Sequence, residues 1–138
     1  MIKFYGHHND YGWMSNFHQS HFKLDGYTWP TVEHFFQASK FEGTDLYHKI
    51  RKAKTPGEAK KLGQSRGLRP DWEKVKIKVM HRALRAKFQI STFRSMLKFT
   101  GDELIEEVSP YDYVWGTGKD GKGKNLLGKL LMRVRTEI

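Results

Sequence analysis

The sequence predicts an α+β chain, predominantly helical, with a small β-hairpin or sheet near the N-terminus. Two observations set the class. The middle of the chain carries helical apolar spacing in "RPDWEKVKIKVMHRALRAKF", and "HFKLDGYTW" sets two β-prone runs around Asp25-Gly26, a strong short-range turn signal. A third observation bounds the architecture: 138 residues without repeats or a linker predict one compact domain over 1–138.

The elements follow in order. "IKFY" near the start is a short strand candidate. After the hairpin, "PTVEHFFQASKF" reads as a buried helix: Thr31 is an N-cap, and Phe35, Phe36, Ala38 and Phe41 supply apolar surface. "DLYHKIRKA" is a short helix. "TPGEAKKLGQ" opens with Thr55 as cap and Pro56 at the first helical position, where a missing N–H costs nothing. The long helix begins at an Asp71 cap, with Trp72, Val75, Val79, Ala83 and Ala86 in one stripe and Met80, Leu84 and Phe88 beside it. Ser91 starts another helix that ends at Gly101. "ELIEEVS" is ambiguous between strand and helix. A last amphipathic helix starts near Asn125.

Composition excludes several chemistries. With no cysteine, disulfides, thiolate zinc sites and a cysteine nucleophile are ruled out. No apolar signal region or long apolar run is present, so the expectation is a cytoplasmic protein without a membrane partner. The net charge of +10 is uneven: Leu46 to Lys98 holds 16 Lys/Arg against 3 Asp/Glu. That segment suits a phosphate-rich partner such as nucleic acid, although a solvated lysine-rich helix face also accounts for it.

"WGTGKDGKGKNLLG" contains GxGxxG and falls one residue short of a P-loop. A dinucleotide unit needs a second strand and an acid about 20 residues on, and only 17 residues follow Gly121. A P-loop needs a hydroxyl after its lysine, and Gly123 stands there. What remains is a general anion cradle. Gly116 and Gly118 would let backbone N–H groups approach a phosphate, with charge from Lys119, Lys122 and Lys124. The alternative is a surface loop.

In the aromatic helix, Glu33, Gln37 and Lys40 are spaced i, i+4, i+7 and share one face. Glu33 and Lys40 lie about 10 Å apart along the axis at 1.5 Å per residue, which suits two groups lining a cleft. Burial of that face would raise the Glu33 pKa and lower that of Lys40, making an acid or base and a nucleophile. An exposed polar stripe explains the same spacing. His7-His8 and His18-x-x-His21 are a weak metal lead without an HExxH or His/Cys set, so neither a metal nor any other cofactor is expected. Trp72 is either core or a stacking surface. Asp112 and Trp115 precede the glycine loop, where Asp112 suits either a nucleotide-sugar site or a turn.

Six ordered blocks, from "YGWMSNF" through "DGYTWPTVEHFFQASKF" and "TGDELIEEVSPYDYVWGTG" to "GKGKNLLGKLLMRVR", resemble the NADAR superfamily of YbiA-like proteins over about Lys3 to Arg135. The resemblance implies a YbiA-like fold and N-glycosidase activity. The implied substrates are ADP-ribosyl groups on guanine or ribosyl-phosphate intermediates of the riboflavin pathway. It assigns the functional glutamate to Glu33, the helix lysine to Lys40, the long-helix tryptophan to Trp72 and the acid before the WG pair to Asp112. Asn16 and Phe17 are expected near the same pocket. On this analogy Lys40 forms a Schiff base with the opened ribose, Glu33 manages protons, Asp112 orients hydroxyls or water, and Trp72 and Phe17 stack. Trp115, Gly116, Gly118, Lys122, Lys124 and Asn125 would hold the rest of the substrate, with the loop facing the Glu33–Lys40 helix. A non-catalytic binder of ADP-ribose or nucleic acid is the rival reading.

Overall fold

A computed structural model describes residues 1–6 and 9–138; the His7-His8 pair lies outside the described residues. The elements run β1 (Ile2–Phe4), β2 (Phe22–Leu24), β3 (Tyr27–Trp29), α1 (Val32–Ser39), α2 (Asp45–Arg51), α3 (Pro56–Leu62), α4 (Trp72–Lys87), α5 (Ser91–Phe99), β4 (Ile105–Glu107) and α6 (Leu126–Glu137), with a 3-10 turn at Gly12–Met14. They gather into two units. One is the continuous stretch Gln19–Lys87, and the other joins Met1–His18 to Phe88–Ile138. The α+β, mainly helical class is as the sequence predicts.

In the continuous unit, β2 and β3 pair antiparallel with Phe22 opposite Trp29. Asp25 and Gly26 both take positive φ, 53° and 83°, the pattern of a tight two-residue hairpin turn. Trp29 is fully buried; its indole N–H donates to Leu24 O at 2.9 Å, and its ring meets Phe35 edge-on at 4.9 Å. α1 packs against α2, α3 and α4. All eight of its residues are buried, including four polar ones. Burial of polar side chains is costly unless they are hydrogen-bonded, and local bonds offset much of that cost. Ser39 Oγ donates to Phe35 O, and the His34 ring bridges Thr31 Oγ1 at 2.8 Å and Ala53 O at 2.9 Å.

The caps at Thr31 and Thr55 form as expected: each hydroxyl accepts the N–H three residues on, from His34 and Glu58. At the start of α4, the Asp71 carboxylate takes the Arg69 guanidinium through two nitrogens, and its carbonyl receives Lys74 and Val75. The apolar stripe of α4 is core, with Trp72, Val79, Met80, Ala83 and Leu84 all buried.

In the discontinuous unit, the ambiguous "ELIEEVS" contains a strand. β4 pairs parallel with β1, Ile2 opposite Ile105 and Phe4 opposite Glu107. α6 packs on β4. α5 ends on Thr100, with Gly101 at φ 65° where a left-handed residue closes a helix. Phe88 sits edge-on between Trp13 and Phe93. Among the described residues, no helix is long and apolar enough to cross a membrane.

Candidate active site

The face read from the i, i+4, i+7 spacing exists, and its first two residues are enclosed. Glu33 is 7% exposed and Gln37 4%. Gln37 Nε2 donates to Glu33 Oε2 at 2.7 Å. Lys40 caps the C-terminal end of α1 and is half-buried. Its ammonium nitrogen lies 3.4 Å from Gly63 O and 6.0 Å from the ring centres of both Phe36 and Trp72. Those two rings meet edge-on at 5.1 Å, so Trp72 serves as core and as a wall beside the amine.

Burial pulls the Lys40 pKa below its ordinary value; the Glu33 charge works the other way, and Lys60 adds to the lowering. Glu33 and Lys40 are therefore coupled electrostatically while each holds its own hydrogen bond. The arrangement sets a buried carboxyl group and an amine of lowered basicity on one helix face, the group types that serve proton transfer and nucleophilic attack.

The other sequence-selected residues belong to the discontinuous unit. Asp112 Oδ1 accepts from the amides of Val114 and Trp115 at 2.9 and 2.8 Å, closing a turn. Asn16, Phe17 and Trp115 are half-buried. The glycine loop is closed mostly upon itself. The amides of Thr117, Gly121, Gly123, Lys124, Asn125, Leu126 and Leu127 all reach backbone carbonyls, those of Glu107, Gly118, Thr117, Tyr113, Gly116, Val114 and Trp115 respectively. The Lys119 amide reaches the Tyr113 hydroxyl and that of Lys122 reaches Asp120. A Cβ on Gly116 would collide with Glu107, one on Gly118 with the Tyr113 ring, and one on Gly123 with Gly116 O. These glycines permit close packing. Most of the amides an anion cradle would use have partners in the loop, and the exposed side chains of Lys119, Lys122 and Lys124 remain for an anion. Asn125, expected on phosphate, takes φ 52° and spends both ends of its amide on β4: Oδ1 accepts from Glu107 N at 3.0 Å and Nδ2 donates to Ile105 O at 2.9 Å.

Two groups escaped the sequence reading. Lys87 is 0% exposed, and burial lowers its pKa to about 7. The signal was available, because position 87 lies four residues past Ala83 in the apolar stripe. His34 is enclosed too, and burial lowers its pKa despite its bond to Ala53 and the Glu58 charge. A groove of about 560 Å³ in the continuous unit is lined by Asp25, Tyr27, Glu42, Tyr47, His48 and Arg82 among others. It includes neither Glu33 nor Lys40, and its three acids, Asp45 being the third, disfavour phosphate. Among the described residues no cluster of three or more metal-ligating side chains occurs.

Comparison with known proteins places the chain in a family. The NADAR domain model matches residues 3–138. N-glycosidase YbiA of Escherichia coli (strain K12) is 45% identical over 100% of this chain and 88% of its own length. N-glycosidase Npun_R5314 of Nostoc punctiforme is 43% identical over 99% of this chain and 92% of its length. The chloroplastic riboflavin biosynthesis protein PYRR of Zea mays is 40% identical, with 100% of this chain matching 25% of that protein. The solution NMR structure of E. coli YbiA superposes with a TM-score of 0.91 at 45% identity, covering 99% of this chain and 83% of that one. The α1 segment with Glu33, Gln37 and Lys40 lies inside the matched range, and the chain belongs to the NADAR domain family as a hydrolase acting on N-glycosyl compounds.

Proposed function

We propose that this N-glycosidase acts on a phosphorylated riboside, with an ADP-ribosyl group on guanine, in a nucleotide or in nucleic acid, as the first substrate to test. The observation that carries the reading is the Glu33–Lys40 pair: a buried carboxylate coupled to a half-buried amine whose pKa is pulled down. In the proposed reaction the ribose ring opens as the base nitrogen forms an imine with C1, and the ring oxygen takes a proton. The neutral Lys40 amine adds to C1. The base leaves with its bonding electrons and a proton relayed by Glu33, so that C1 is left in a Schiff base with Lys40. Water adds, the amine departs, and the free sugar closes.

Two lysines have lowered pKa values, and accessibility separates them. Lys87 is fully enclosed, whereas Lys40 is only half-buried. Borohydride added during turnover should leave a sugar adduct that peptide mapping finds on Lys40. Lys40→Ala should lose at least about 100-fold in kcat, the scale of a lost nucleophile or general catalyst. An adduct elsewhere, or an active Lys40→Ala, removes the Schiff base. Lys122 and Lys124 are assigned to phosphate, and their alanine variants should raise KM more than they lower kcat.

The second reading is a ribosylamino-pyrimidine phosphate substrate. It is favoured by the riboflavin biosynthesis names of the Zea mays relative and of the Vibrio vulnificus relative, which is 36% identical. Mass spectrometry of products from ADP-ribosylated guanine, NAD, ADP-ribose and the ribosylamino phosphates decides between the two. Release of ADP-ribose with an unmodified guanine nucleotide from the first substrate supports the proposal, and turnover of the ribosylamino phosphates alone overturns it.

A further inference from the structure

Gln37 is more than a polar residue tolerated in a buried helix. It is 4% exposed, with one end of its amide 2.7 Å from Glu33 and its oxygen without a hydrogen-bond partner. With the amide nitrogen donating to Glu33 Oε2, the amide oxygen points away from the carboxylate. The oxygen points at Gly63, at the C-terminal end of α3. A Cβ there would collide with the Gln37 oxygen and crowd its Cδ as well. Gly63 therefore lets the α3 backbone lie flat on the Gln37 side chain, and its own carbonyl accepts from Lys40. A buried acceptor without a partner costs free energy. A helix that keeps this cost gains something from the other end of the amide, and that end holds Glu33.

We infer that Gln37, clamped by the close approach of Gly63, is the positioning residue of Glu33: it fixes the carboxylate in one orientation and favours its ionised form. The role rests on the reading of Glu33 as the proton-handling group. Gln37 is set one turn after Glu33 on the same helix, and its amide is held between Glu33 and Gly63. Charged groups on the elements around α1 make contacts of their own. Lys60 of α3 acts on Lys40, Glu58 of α3 on His34, Arg82 of α4 lies over Phe35, and Arg51 of α2 over Tyr27. Lys40, at the C-cap of the same helix, is a cation coupled to Glu33.

The test uses Gln37→Met, which keeps the length of the side chain, removes the donor and also removes the unpartnered oxygen. The folded protein is labelled with ¹³C at the glutamate carboxyl carbons, and the Glu33 signal, assigned with Glu33→Gln, is titrated. The inference expects the Glu33 midpoint to move upward in Gln37→Met, because a donated N–H favours the carboxylate. It also expects kcat to fall about tenfold or more with KM little changed, since general acid–base groups contribute about 10²–10⁴-fold. Gly63→Ala, which forces the Gln37 oxygen from its seat, should give the same two changes. A Glu33 titration that does not move in either variant overturns the inference, whatever happens to activity or melting temperature. A midpoint that moves while kcat stays at the wild-type value supports the Gln37 contact and removes Glu33 from the chemistry, so the failure of the proposed function and the failure of this inference are told apart.

Discussion

A lysine with no exposed surface makes the folding equilibrium of this chain depend on pH where most proteins are insensitive. The Lys87 amine has a folded-state pKa of about 7 against an ordinary value of 10.5. Between those values the unfolded chain binds a proton that the folded chain has given up, so stability rises with pH across the window and is lost as pH falls toward 7. Urea unfolding at about pH 7.5 and 9.5 should differ by about 2–3 kcal/mol in favour of the higher pH, at about 1.4 kcal/mol per pH unit for one proton. Lys87→Met should flatten that slope. Tyr47 sets the upper limit: burial, with Asp25 and Glu42 nearby, raises its pKa to about 12, so stability declines again above about pH 10. His34 acts on the acid side. Its lowered folded pKa means that stability present above about 6.5, its unfolded value, is lost progressively below it. His34→Gln should remove that acid loss in the same unfolding series.

At the level of elements, local chemistry was readable and distant partners were not. The hairpin at Asp25-Gly26, the Thr31 and Thr55 caps and the α4 stripe each depend on neighbours within a few residues, and all appear where the spacing put them. β4 was ambiguous because its partner β1 is at the far end of the chain, and nothing inside "ELIEEVS" specifies a parallel neighbour. The Glu33–Gln37–Lys40 face was legible for the same local reason. The seat of Gln37 on Gly63 was not, because it joins two helices. The glycine loop misled in the opposite direction: its spelling suggests free amides, and the carbonyls that occupy them belong partly to Glu107 and Tyr113, outside the motif. Asn125 is the residue on which β4 and α6 meet. Asn125→Ala would leave Ile105 O and Glu107 N unpaired and place a non-glycine residue without a compensating bond at φ 52°. A loss of about 2–4 kcal/mol in urea unfolding is expected, from two unpaired backbone groups, one buried and one partly buried.

Over the whole molecule, the +10 charge separates the two substrate forms by their response to salt. A polymer held through several phosphates should lose affinity steeply as salt rises, whereas a mononucleotide touching one or two cations should lose little. Measuring kcat/KM for ADP-ribosylated guanine as a nucleotide and within an oligonucleotide, from about 50 to 200 mM salt, should show a fall of about 10³-fold or more only for the oligonucleotide, if the segment from Leu46 to Lys98 engages phosphates. Equal slopes would assign that charge to solvation.

The parallel pairing of β1 with β4 also sets an order of events during synthesis. The stretch Gln19–Lys87 carries its hairpin and four helices in one continuous unit. β1 emerges first and must wait for Ile105 to Glu107 before it has a neighbour. Loops that long are slow to close, and segments held open during that delay are exposed to wrong pairings. The lysine and glutamate chosen for chemistry are therefore carried by the part of the chain that can acquire structure first, while the ribbon made earliest is among the last to find its place.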